Sequence, residues 1–239
     1  MRLPASAASP ALTRRLVLAL ATPCLVQLPA LLPASATLVQ DPRFLIDIPE
    51  GFVVSKRKAT TGTIFVAGNF PRATVMSATA WPITSLLQDD AKGRDLPGLP
   101  ASAQVQFRPG TETLEGLGSA KELALLLLRA RDRDGSSGAL QSVLNSSQYA
   151  NGRLEFQYST ESPVADPDAL EKERGVRQLI RRTAAASVLG SVPSAGGGQE
   201  PAIYSIFASA LEQDWDKDLQ APLERAVKSF SLVTATVTQ

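Results

Sequence analysis

Three places in this 239-residue chain gather side chains that could do chemistry. Asp214, Asp216 and Asp218 alternate with Trp215 and Lys217. On an extended segment such carboxylates share one face and could hold a hard cation such as Ca2+ through oxygen. Where a helix follows, they instead favour its positive N-terminal end, and this second reading is preferred. Lys56-Arg57-Lys58 is the densest basic run. It suits docking on an acidic partner or a lipid headgroup; the plainer reading is a solvated hairpin tip. Asp132-Arg133-Asp134-Gly135-Ser136 opens like a calcium loop. An EF-hand then needs glycine at position six and a bidentate acid at twelve, but Ser137 and Val143 stand there. That segment reads as a polar helix-to-loop junction.

Other chemistry is excluded by residue type. The chain has no histidine and one cysteine, Cys24. Ser-His-Asp and Cys-His catalysis, the usual zinc ligand sets and an internal disulfide framework all fall away. Ser191–Glu200 is glycine-rich but lacks the Lys-Ser/Thr and following helix of a phosphate loop. Arg181-Arg182 in a strand puts one arginine on each face, so one of them needs a partner, with Glu155 or Glu173 the candidates. Trp81-Pro82 and Trp215 read as core or core rim. Apolar residues make up 44% and charged residues 20%, as in soluble globular chains, and a net charge of +1 gives no electrostatic case for nucleic acid.

The first 36 residues read as a targeting segment. No acidic residue precedes Asp41. Arg14-Arg15 stand before a long uncharged run that ends Ala34-Ser35-Ala36. A positive region, an apolar region and a small-residue A-x-A site make an export signal, here of twin-arginine type. Pro23, Pro29 and Pro33 argue against a continuous transmembrane helix, and Ala21-Thr22-Pro23 is a poor lead-in to a lipidated Cys24. The Ser, Ala and Pro ahead of Arg14 resemble the tail of a plastid transit peptide. Cleavage after Ala36 leaves residues 37–239 as one domain without histidine or cysteine. Losing Arg2, Arg14 and Arg15 leaves 21 basic against 23 acidic residues, a net charge of about −2.

The elements that must position these groups follow from patterning. Phe44, Ile46 and Ile48 share one face of an extended segment, and Pro49-Glu50-Gly51 turns the chain. Phe52–Val54, Thr63–Ala67 and Thr74–Thr79 continue it as an antiparallel meander. Residues 83–118 are loop-rich, with a short helix around Ser85–Lys92. Ser119-Ala120-Lys121-Glu122 is a capping box. It starts a helix through Leu123–Leu128 to about Arg133, apolar nearly all round and closed by Gly135. Asn151-Gly152 is a hairpin turn before the alternating strand Leu154, Phe156, Tyr158. Gln178–Leu189 and Ile203–Ala210 read as a strand hairpin across the flexible segment Ser191–Glu200. A last helix covers about Leu219 to Phe230, with Leu223, Val227 and Phe230 on one face and Pro222 in its first turn. Strands in short-turn succession with helices to cover them make an α+β fold.

In this order, the segments resemble the PsbP family of thylakoid lumen proteins. Phe44-Leu45-Ile46-Asp47-Ile48-Pro49-Glu50-Gly51-Phe52 is similar to the family's opening strand. Gly62–Gly68 resembles the next strand, Leu117–Glu122 the start of the central helix, and Gly152–Tyr158 the Gly-to-Tyr strand. Ile203–Trp215 and Val227-Lys228-Ser229-Phe230 resemble the last strand and closing helix. The resemblance spans about 190 residues and implies a central antiparallel sheet flanked by helices, an α/β/α sandwich. It also implies a soluble or membrane-peripheral lumenal protein without a transmembrane helix in its mature form. The implied role is non-enzymatic: help in photosystem II structure, assembly or oxygen evolution. No cofactor is required, and calcium binding is associated with the domain. The family's metal sites use histidine, which this chain lacks, and its N-terminal arm here is only Thr37–Pro42. A PsbP-domain relative is therefore favoured over the oxygen-evolving subunit itself. The alternatives are a bacterial periplasmic binding or assembly protein of the same fold and, behind it, a carboxylate-based hydrolase such as a glycosidase.

Overall fold

A computed structural model describes residues 36–56, 62–93, 105–108, 110–134, 142–162, 164–194 and 196–233. Residues 1–35 of the segment read as an export signal, Cys24 among them, together with Arg57, Lys58, Gly135, Pro97, Pro100 and Pro109, lie outside the described residues.

The longest strands carry the architecture. β9 (Gln199–Leu211) is buried on both faces from Ala202 to Leu211. Its even residues Ala202, Tyr204, Ile206, Ala208 and Ala210 enter one core, and Ile203 and Phe207 enter the other. On one side β9 pairs antiparallel with β8 (Leu179–Pro193) and on the other with β5 (Thr74–Pro82). β4 (Thr63–Asn69) and β3 (Val53–Val54) extend the sheet beyond β5; β7 (Arg153–Ser162) and β6 (Ser142–Ala150) extend it beyond β8. The result is a seven-stranded sheet in the order β3-β4-β5-β9-β8-β7-β6, with every pair antiparallel.

Helices cover both faces. α1 (Ile83–Gly93) and α2 (Ala120–Asp134) close one. Leu123, Leu126 and Leu127 of α2 pack with Phe156, Tyr158 and Phe207 beneath them. The capping box forms as the sequence predicts. Glu122 N donates to Ser119 Oγ at 3.3 Å, and Ser119 N donates back to Glu122 Oε2 at 3.3 Å. Such caps contribute about 1 kcal/mol. α5 (Gln220–Ser229) closes the other face through Leu223, Ala226 and Val227. The alanines opposite it on β5, β8 and β9 leave room for the helix to sit close to the sheet. The fold is the expected α+β sandwich.

Several expectations need correction. Phe44–Pro49 (β2) does not open the meander. It pairs instead with β1 (Ala36–Gln40) and β10 (Ser231–Leu232) in a separate three-stranded sheet. Phe44 packs against Phe65 at 5.8 Å and Phe230 at 5.6 Å between ring centroids, so the small sheet is held beside α5 over one face of the large one. The segment read as flexible is mostly ladder, with Pro193 paired to Gln199 and only a short connection between. β6 and α3 (Pro167–Arg174) were not expected at all. The Asn151-Gly152 turn is as read: both residues are left-handed, φ 54° and 72°, joining β6 to β7.

Candidate functional site

The aspartate run lies on helical backbone, not on an extended face. Glu212–Asp214 forms one helical turn, α4, and Trp215–Leu219 a π turn that leads into α5. Trp215 is buried and the acids point outward. Arg182 Nη1 lies 3.1 Å from Asp216 Oδ1, with Glu212 Oε1 3.9 Å from its Nε. Arg72, at the tip between β4 and β5, pairs with Asp218. Two of the three carboxylates are thus engaged by arginines from other elements. They do not fit a calcium site, which needs several converging oxygens without competing cations. Among the described residues no three ligating side chains converge. The Asp132 carboxylate accepts from Ser142 N at 3.2 Å and Ser142 Oγ at 2.8 Å, tying α2 to β6. Burial pushes its pKa up, against the lowering by those hydrogen bonds.

Arg182 therefore finds its partners in Asp216 and Glu212, not in Glu155 or Glu173. Arg181, on the opposite face of β8, donates to Ser209 Oγ at 3.1 Å and to the Ala73 carbonyl at 2.8 Å. The partner predicted for the buried member of the pair is therefore a hydroxyl and a backbone carbonyl.

Lys56 stands on the rim of an open cleft of about 450 Å³ between the small sheet and β4. Phe44 and Thr63–Val66 line it, with Asp41 and Arg43 on the wall. Among the described residues Asp41 is its single carboxylate. It accepts from Arg43 Nε at 2.8 Å and from Nη2 at 3.1 Å, which holds its pKa below the ordinary aspartate value. The cleft thus presents one committed ion pair and one exposed ammonium over an aromatic floor. Sequence reading found Lys56 but not its company, because Asp41 and Arg43 come from the connection between β1 and β2.

No helix among the described residues is long and apolar enough to cross a membrane. The chain matches no protein-family model, and no curated protein matches it. Among solved structures it is similar to LpqN, involved in cell envelope biogenesis of Mycobacterium tuberculosis. Identity is 13% over 84% of this chain and 91% of that one, with a TM-score of 0.37.

Proposed function

We propose that this chain is a non-enzymatic PsbP-domain protein of the thylakoid lumen. On this reading it docks on photosystem II, or on an assembly intermediate, at the lumenal membrane surface. No bond is made or broken and no cofactor is needed. The observation that supports docking is the content of the cleft beside β2. Its one carboxylate is already held by Arg43, so it has no pair for acid–base work. Its free feature is Lys56 above an apolar floor, a small basic rim suited to an acidic partner. The choice of partner rests on the resemblance, whose matched segments supply β2, β4, the start of α2, β7, β9 and the end of α5.

Fractionated thylakoids test the reading. The mature protein is expected in the lumen, co-purifying with photosystem II and released by a salt wash. Lys56→Glu should release at lower salt, since a rim charge acts through screened attraction. Recovery of the mature protein from stroma or cytosol would overturn the proposal.

A further inference from the structure

The small sheet leaves one strand edge open, and the turn beside it fixes which main-chain groups face outward. Asp41 N donates to the Phe44 carbonyl at 2.9 Å, and Phe44 N donates back to the Asp41 carbonyl at 3.2 Å. These two residues are thus a hydrogen-bonded pair at the end of the β1–β2 hairpin. Hydrogen-bonded and non-hydrogen-bonded pairs alternate along an antiparallel ladder. In the β1–β2 register, Gln40↔Leu45 and Leu38↔Asp47 are therefore non-hydrogen-bonded pairs. The second strand agrees: Asp47 N turns away from β1 and donates to Ser229 Oγ at 2.8 Å. The N–H and C=O groups of Leu38 and Gln40 thus point away from β2, to the free edge of β1. Among the described residues the other sheet edges carry the usual protections. β3 and β10 are two residues long, and β6 is interrupted by its bulge. β1 is regular over five residues, Ala36-Thr37-Leu38-Val39-Gln40, without charge, proline or glycine. Leu38 on it is 61% exposed.

Val39 and Gln40 of this strand line the cleft whose rim carries Lys56. The open edge, the Phe44 floor and one exposed ammonium therefore border the same space. We propose that β1 accepts an extended peptide segment of a partner protein as an added strand, with a carboxylate side chain of that segment on Lys56. The outward groups of Leu38 and Gln40 supply main-chain hydrogen bonds, and the cleft receives alternate side chains of the added strand. The charge of the segment follows from the walls. Arg43 Nε lies 2.8 Å from Asp41 Oδ1, so that carboxylate is already matched and Lys56 sets the sign of the incoming side chain. This inference rests on the docking reading of the same cleft, but it does not require photosystem II to be the partner.

The test uses two short synthetic peptides with a fluorescent label, one alternating valine with glutamate and the other valine with lysine. Each is titrated with the full chain and followed by fluorescence anisotropy. The glutamate peptide should bind, and the lysine peptide at least about tenfold more weakly. Leu38→Pro removes an N–H that β2 does not use, and proline is tolerated where an edge strand's N–H faces solvent. This variant should keep its urea midpoint near the parent's and lose about fivefold in affinity for the glutamate peptide, the loss of one hydrogen bond. Lys56→Glu should reverse the preference between the two peptides. That residue lies outside the β1–β2 ladder, so the reversal tests the proposal even if Leu38→Pro loses the small sheet. The proposal is overturned if neither peptide binds, if both bind alike, or if folded Leu38→Pro binds as the parent does. A dimer in sedimentation that Leu38→Pro abolishes would give the edge to a second copy and overturn it as well. Thylakoid fractionation reads a separate quantity. Lumenal protein without peptide binding removes strand addition alone, and glutamate-peptide binding by a protein recovered from stroma or cytosol removes the photosystem reading alone.

Discussion

Three glycines allow backbone strain and steric volume to be separated in one set of variants. Gly62 has φ +82°, and a Cβ there would lie 2.4 Å from Trp81 Nε1 and 2.7 Å from its Cδ1. Gly152 has φ +72° with open space around it. Gly190 is unstrained, but its Cβ would meet Leu232 Cδ1 at 2.6 Å and the Tyr204 ring at 3.0 Å. Alanine in the left-handed region costs roughly 1–2 kcal/mol, and that is the whole expected loss for Gly152→Ala. Overpacking a filled site costs about 1–3 kcal/mol more. At Gly62 the obstacle is a buried indole, so the two effects add to about 2–5 kcal/mol. At Gly190 the nearest atom is the end of a mobile leucine, but Tyr204 is pinned by its bond to the Ser191 carbonyl at 2.8 Å. Gly190→Ala should therefore lose about 1 kcal/mol, from volume alone. Urea unfolding followed by far-UV circular dichroism reads all three, since indole fluorescence would report Trp81 itself. Equal losses at Gly62 and Gly152, with unchanged m-values, would refute the steric argument.

Other consequences are open to the same measurement. Arg129 Nε lies 2.8 Å from Asp90 Oδ1, with Asp90 3% and Arg129 13% exposed, so the pair bolts α1 to α2 inside the core. Asp90→Ala should cost about 3–5 kcal/mol, while Asp90→Leu with Arg129→Met should cost much less than the two single losses together, as a double-mutant cycle would show. The Tyr149 hydroxyl donates toward the Gly118 and Leu114 carbonyls at 2.8 and 3.2 Å, and burial pushes its pKa up to about 12. Its folded pKa lies above its unfolded value, so the stability it contributes is full below pH 10.0 and fades as pH rises to about 12. Tyr149→Phe should remove that fade and lose about 1 kcal/mol at neutral pH. Asp132 is also raised, from 3.8, by burial. Stability should therefore fall as pH climbs from 3.8 through its folded pKa, and Asp132→Asn should flatten that stretch of a pH–stability curve.

How much of the fold the sequence reveals depends on whether local patterning and tertiary pairing agree. α2, β7, β9 and α5 were legible because each has a strong apolar period and a clear start signal. β6 was not: Ser142-Val143-Leu144-Asn145-Ser146-Ser147-Gln148 alternates poorly and carries a bulge between Leu144 and Ser146. It is an edge strand that borrows its order from β7, as edge strands with half-exposed faces do. The α3 signals were present and passed over. Asp166 caps through Ala169 N at 2.9 Å, Pro167 opens the first turn, and Gly175 closes it at φ 71°. The sheet membership of β2 is a different case. Its inward face was clear, but which strand it pairs with is decided by Phe65, Phe230 and α5, all distant in sequence.

The same distinction governs the site. From the sequence, Arg129 and Arg131 are two cations in a helix's last turns, favoured by the dipole and unremarkable. A helix turns about 100° per residue, so residues two apart point to different sides. Here that difference sends Arg129 to Asp90 on α1 and Arg131 over Phe207 on β9. Only the packing of α2 across the sheet sends one arginine into an ion pair and lays the other over aromatic rings. Arg181 repeats the lesson: alternation along β8 separates it from Arg182, and the α2 face it occupies offers hydroxyls and carbonyls where the other offers Asp216 and Glu212. A count of charges, +1 for the whole chain, hides both facts. Local imbalance of charge arises wherever topology sorts like residues onto one face, and only the packed structure shows it.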